Sequence, residues 1–119
     1  MKKMVCRFGE LYYAELPVIS DSRVQQGLRP VLIISNDVCN KFSPVVSVVP
    51  LTSSMTKANI PTHVSIDGYG LHKPSVILAE QIMSIDKHRF HEKIGEVNDM
   101  GLIDRILRAL RTQLNMVAA

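Results

Sequence analysis

The sequence predicts a mainly β (α+β) fold: a small antiparallel barrel with short helical turns and one C-terminal α-helix. Three observations carry this. Short runs rich in Val, Ile, Leu and Tyr recur between residues 10 and 97, each bounded by Gly, Pro, Asn, Asp or Ser. One long apolar stripe of helical period follows, after residue 98. The 119 residues suit one domain, residues 1–119, with one modest core.

The first strand follows Gly9-Glu10, with Leu11 and Tyr13 on one face and Tyr12 and Ala14 on the other; Pro17 ends it. Residues 17–28 form a loop of about twelve residues, long for a compact domain, and such loops are often functional. Pro30 to Ser35 is the second strand. Pro30 biases Arg29 toward extended geometry, so Arg29 stands where a flexible loop meets a rigid strand. Asn36-Asp37 is a turn signal, and Val38 to Ser43 reads as an irregular or bulged connector. The third strand, Val45 to Leu51, is apolar on both faces. Pro50 lacks a ladder donor and predicts a bulge or sheet exit. Thr52-Ser53-Ser54 can cap a helical turn over 53–57.

Residues 61–66 alternate as a strand, and Asp67-Gly68-Tyr69-Gly70 is a tight turn. Residues 74–82 give a strand with a polar exit at Glu80-Gln81. Ser84 to Phe90 reads as a short helical turn capped by Ser84 or Asp86, and Glu92 to Val97 as the last strand. Asn98 or Asp99 caps the long helix. Its stripe is Leu102, Ile103, Ile106, Leu107, Leu110, Leu114 and Val117. Arg105, Arg108 and Arg111 form a solvated face, with Asp104 and Arg108 spaced to pair. Five or six short strands with a terminal helix suggest an SH3-like barrel, the helix plugging one end or packing on an open sheet.

Composition narrows the function. A hydrophobic fraction of 46% and a charged fraction of 21% exclude a disordered chain. A net charge of +3 biases the protein mildly toward anionic partners. No apolar run approaches a membrane span, and the basic start has no apolar segment after it, so a cytoplasmic protein is expected. Cys6 and Cys39 are expected as free thiols. The four histidines are scattered without metal-ligand spacing, and no cofactor is expected. There is no Gly-rich phosphate loop, no GxSxG elbow, and too few aromatic residues for a base-stacking platform. Polar groups at strand ends remain: Arg29, Asn36, Thr52, Ser53, Glu80 and Gln81. For each, a turn or cap hydrogen bond is the competing role.

Five stretches in order then carry a resemblance. They are Gly9-Glu10-Leu11-Tyr12; Gly27 to Asp37; Ser43-Pro44 leading to Leu51-Thr52; Lys57 to Val64; and Leu78-Ala79-Glu80-Gln81-Ile82 with Ile85-Asp86-Lys87. From about Gly9 to Leu114 the chain strongly resembles the MazF/PemK/Kid toxins of bacterial type II toxin–antitoxin modules. The resemblance implies a CcdB/MazF-like barrel that forms a homodimer. It implies a metal-independent endoribonuclease that cuts single-stranded RNA, often mRNA, at a short sequence. It implies a cognate antitoxin whose disordered tail folds into the substrate groove, and operator DNA contact only through that antitoxin. Carried over by motif, the catalytic pair is Arg29 and Thr52.

Such chemistry suits those side chains. The RNA 2′-OH is the nucleophile and leaves a 2′,3′-cyclic phosphate. Arg29 offers a cationic fork, and Thr52 a hydroxyl donor, to the charge that builds on phosphorus-bound oxygens. A guanidinium is a poor base, so Arg29 chiefly stabilises charge, with proton donation to the leaving 5′-oxygen as a second role. Gln25, Gln26, Asn36, Ser53, Lys57, Glu80 and Gln81 are candidate RNA contacts. Two departures stand out. Many relatives carry an acidic residue where this loop reads Val24-Gln25-Gln26-Gly27, and many have Ser-Pro-Thr where this chain has Ser43-Pro44-Val45. Two competing readings are a same-fold toxin that binds DNA gyrase without cutting RNA, and an SH3-like interaction module.

Overall fold

The structure, a computed structural model, describes residues 5–54 and 60–116. Seven strands form one antiparallel sheet: β1 (Glu10–Leu16), β2 (Gly27–Ile33), β3 (Val45–Thr52), β4 (His63–Ile66), β5 (Ser75–Leu78), β6 (Met83–Asp86) and β7 (Phe90–Glu96). Helix α1 is Asp37–Phe42, and α2 is Met100–Gln113. The strand order is β4-β5-β3-β2-β1-β7, with β6 also on β3. Among the described residues no pairing joins β4 to β7, so the sheet curls like a barrel without closing.

The central strand β3 explains the curl. Val45–Val48 pair with β6, and Leu51–Thr52 pair with β5, while Val48–Pro50 pair with β2. Pro50, which has no amide to donate, lies in the gap between the last β6 pair and the first β5 pair. The bulge or sheet exit expected at Pro50 does not occur: Pro50 stays within β3 in register with Val31, and only the partner on the other edge changes there.

Alternation sends side chains into two cores. Leu11, Leu32, Val49, Leu51, Val64 and Ile77 face α2, whose Leu102, Ile106, Ala109 and Leu110 are buried against them. Tyr12, Ala14, Val31, Ile33, Val46 and Val48 pack on the other face with Ile85. Central strands apolar on both faces are the consequence. Each fully buried Leu or Ile contributes roughly 1.5–3 kcal/mol. Helix α2 thus packs on the sheet. Asp99 is its cap, accepting from the Leu102 amide at 2.9 Å. Asp104 and Arg108 pair at 2.8 Å on its exposed side. Val117 lies outside the described residues.

Several expectations are corrected. Strand β2 begins at Gly27 and ends at Ile33, because Gly27, Leu28 and Arg29 already pair with Leu16, Glu15 and Ala14. Residues 38–43 are helical rather than irregular: the Asn36 side chain accepts from the Cys39 amide at 2.9 Å and caps α1. Buried Asn40 ties α1 to the end of β2 by donating to the Ser35 carbonyl at 2.8 Å. Ser84 to Asp86 is strand, not turn, with Ile85 buried and Ser84 and Asp86 exposed; only Lys87–Arg89 make a 3₁₀ turn, and the Asp86 side chain does not cap it. The strand at 74–82 shortens to β5, leaving Ala79-Glu80 as a turn. Cys6 is buried, Cys39 is exposed, and both are free.

Candidate active site

The β2–β3 register places the two predicted catalytic residues together. The β2–β3 pairing runs Ile33↔Val48, Leu32↔Val49 and Val31↔Pro50, and Arg29 and Thr52 lie two residues beyond its last pair on their respective strands. Here β3 is leaving β2 for β5, with Thr52 paired to Val76, and the strands part. A groove of about 270 Å³ opens between them, lined by Tyr13, Arg29, Thr52, Ser53, His72 and Lys73.

Arg29 is exposed, and its Nε donates to the Gln26 carbonyl at 2.9 Å. Among the described residues it has no carboxylate partner, so its remaining N–H groups stay available to an anion. Thr52 Oγ1 accepts from the Ser54 amide at 3.1 Å, which aims the oxygen while leaving its own proton to donate.

The carbonyl that holds Arg29 is itself held. Gln26 Oε1 accepts from the Ile19 amide at 2.9 Å, and its Nε2 donates to the Ile19 carbonyl at 2.8 Å, closing the 17–26 loop on itself. The Gln25 amide donates to Gln81 Oε1 at 2.8 Å, which fastens the loop to the turn after β5. Beside Gln81, Glu80 accepts from the Thr62 hydroxyl at 3.0 Å and meets the His63 ring at 2.8 Å. Burial pushes the Glu80 carboxyl up, but hydrogen bonds from His63, its own backbone and Thr62 outweigh that and hold it below its ordinary value. Gln26, Glu80 and Gln81 therefore spend their polar atoms on the scaffold around Arg29.

Asn36 is elsewhere. It caps α1 and lines a separate, largely apolar groove of about 630 Å³ with Ile34, Cys39, Val45, Leu110 and Leu114. Lys57 lies outside the described residues, as does most of the helical turn expected over 53–57.

Tyr13, His72 and Lys73 also line the groove, though the sequence did not single them out. Tyr13 arrives through the β1–β2 register, which pairs it with Pro30 next to Arg29. His72 and Lys73 arrive through a contact between distant segments. A Cβ on Gly95 of β7 would lie 2.0 Å from the Tyr69 carbonyl oxygen, and one on Gly70 would lie 2.1 Å from that of Ile94. Only two glycines let the Gly68–Gly70 turn press on β7, and His72-Lys73 follow directly from that turn.

Comparison with known proteins follows the same line. The family of PemK-like, MazF-like toxins of type II toxin–antitoxin systems matches residues 7–114. The chain belongs to this family. It is 42% identical over 116 residues to Endoribonuclease EndoA of Bacillus subtilis (strain 168), covering 96% of this chain and 98% of the relative. It is 48% identical over 95 residues to Endoribonuclease MazF of Staphylococcus saprophyticus, covering 78% of each. A solved endoribonuclease from a mycobacterial species, in complex with its cognate antitoxin, superposes with a TM-score of 0.79 at 27% identity. That match covers 96% of this chain and 99% of the other.

Proposed function

We propose that this toxin cuts single-stranded RNA, mRNA in particular, at a short sequence, without a metal ion, through attack of the 2′-OH on the adjacent phosphorus. Its class is that of its family and relatives: an endoribonuclease of a type II toxin–antitoxin module. The O2′–P bond forms as the P–O5′ bond breaks, leaving a 2′,3′-cyclic phosphate and a 5′-hydroxyl. Negative charge grows on the non-bridging oxygens. Arg29 meets it with preorganised N–H groups and Thr52 with its hydroxyl; such donors act strongly because they need no reorganisation as the charge appears. The observation that supports this most is the carboxylate-free Arg29, held through Nε in one groove with the Thr52 hydroxyl.

Ser53 and Lys73 line that groove, and the proposal gives them phosphate contacts. Gln25, Gln26, Glu80 and Gln81 shape the loop beside it. Asn36, which lies away from this groove, and Lys57 are proposed as further RNA contacts. The gyrase-binding alternative has no observation in its favour, since the named relatives are endoribonucleases.

The toxin acts in the cytoplasm, where mRNA is translated. Its inhibitor is a cognate antitoxin whose disordered tail occupies the RNA groove; operator DNA is reached only through that antitoxin. It works as a homodimer. Val38 is 70% exposed, Phe42 75% and Leu114 56%, and these apolar side chains sit on or next to elements lining the 630 Å³ groove, a surface suited to a second copy. Light scattering that gave only a 13.3 kDa species at micromolar concentration would refute the dimer.

The experiment for the reaction is incubation of purified protein with a long RNA in EDTA, with both new ends mapped. Cuts at one short motif, with cyclic-phosphate and 5′-hydroxyl ends, are expected. Cutting abolished by EDTA would overturn the metal-free reading.

A further inference from the structure

The proposed transesterification needs a group to take the 2′-OH proton, and neither Arg29 nor Thr52 can do so near neutral pH. The loop before β2 carries Val24-Gln25-Gln26-Gly27 and offers no carboxylate at that point. Asp21, the loop's one acidic residue, is exposed and does not line the groove. No Asp or Glu lines it at all among the described residues. Residues 1–4, 55–59 and 117–119 contain no Asp, Glu or His in their sequence.

Among the described residues, the titratable or charged side chains in the groove are Tyr13 from β1, Arg29 from β2, and His72 and Lys73 from the segment before β5. Phenol, guanidinium and ammonium groups keep their protons near neutral pH as a class. Imidazole is the one type here that changes charge in that range. His72 is exposed, and its ring makes no hydrogen bond or ion pair among the described residues, so both ring nitrogens are open to substrate. The other rings are engaged or remote: His63 is tied to Glu80, His91 pairs with Glu15, and His88 is not in the groove.

We infer that His72 is the general base of this nuclease, receiving the 2′-OH proton in the groove it shares with Arg29 and Thr52. This rests on the 2′-OH chemistry proposed above. As O2′–P forms, the O2′ proton passes to a nitrogen of the neutral imidazole. As P–O5′ breaks, the leaving oxygen takes a proton from water. The imidazolium then returns its proton to solvent, and the balance closes without a metal or co-reactant.

The test is the pH–rate profile of single-turnover cleavage, from about pH 5 to 9, for wild type, His72→Gln and His72→Ala. The wild-type rate should rise about tenfold per pH unit on the acid side and level off once the base has lost its proton. His72→Gln should lack that limb and fall about 10²-fold or more below the plateau, while approaching wild type near pH 5. Free imidazole should partly restore His72→Ala, which a merely structural role would not allow. An intact acid limb in His72→Gln, a plateau within about tenfold of wild type, or no rescue by imidazole would overturn the inference. Product ends separate the two levels: cyclic-phosphate ends with an unchanged limb sink only the role of His72, whereas absence of cyclic phosphate from wild type sinks the 2′-OH reading beneath it.

Discussion

Replacing Arg29 by Ala tests the geometry most directly, because the structure predicts that activity and stability separate. Arg29 is exposed, and its internal tie is the Nε bond to Gln26. Losing one neutral-acceptor hydrogen bond at the surface costs about 0.5–1.5 kcal/mol, the lower end applying where water replaces the donor. The β2 backbone remains paired through Gly27, Leu28 and residue 29 itself. The fold should therefore lose about 1 kcal/mol or less. The transition state should lose far more. Removing one preorganised donor from a developing oxyanion costs about 2.7–4 kcal/mol, or 10²–10³ in rate. Arg29→Ala removes a fork of them. Arg29→Lys should recover part of the rate: the charge returns as a point, but the planar fork and its Nε anchor do not. Single-turnover cleavage of a fluorescent oligoribonucleotide, with a urea midpoint for each variant, measures both quantities. A folded Arg29→Ala protein cutting at more than about a tenth of the wild-type rate would refute the role; so would a rate loss that only tracked the unfolded fraction.

Thr52→Val keeps the β-branched shape and removes the hydroxyl, so the cleavage rate should fall about 10²-fold, while losing the acceptor for the exposed Ser54 amide should cost the fold about 1 kcal/mol or less in urea melts. Gly95→Ala should destabilise by about 1–3 kcal/mol in urea melts, since its Cβ would lie 2.0 Å from the Tyr69 carbonyl oxygen and two backbone segments must shift. Glu80 titrates lower when folded than when unfolded. The stability it contributes is present above the ordinary carboxylate value of 4.5 and is lost as pH falls through the depressed folded value. Urea melts of Glu80→Gln should therefore show a flatter loss of stability below about pH 4.5 than wild type. Gln81→Ala should speed hydrogen exchange at the Gln25 amide and lower the cleavage rate, whereas Gln81→Glu, which keeps an acceptor oxygen at that reach, should restore protection.

The strands with their own signature were legible in the chain. Leu11 and Tyr12 alternate, Val31 to Ile33 and Val45 to Val49 are apolar on both faces, and α2 announces itself by its stripe and its Asp99 cap. The strand Met83–Asp86 was not legible: four residues with one buried side chain become a strand only because Val45–Val48 of β3 supply the ladder. Nor was α1, where a short run without helical patterning becomes helical through one cap at Asn36 and one buried anchor at Asn40.

The site divides in the same way. Sequence by itself determined the cation at Arg29, the extended backbone that Pro30 favours, the hydroxyl at Thr52 and the family that joins them, because local chemistry and motif order are properties of the chain. Only the tertiary structure decided that these two line one groove, through a register set by pairs elsewhere in β2 and β3. It alone turned Gln26, Glu80 and Gln81 into holders of the loop, and it alone brought His72 and Lys73 to the groove through the contact of Gly70 and Gly95. The reason is physical: a side chain's type travels with the sequence, but the partner it meets is chosen by packing between segments far apart in the chain.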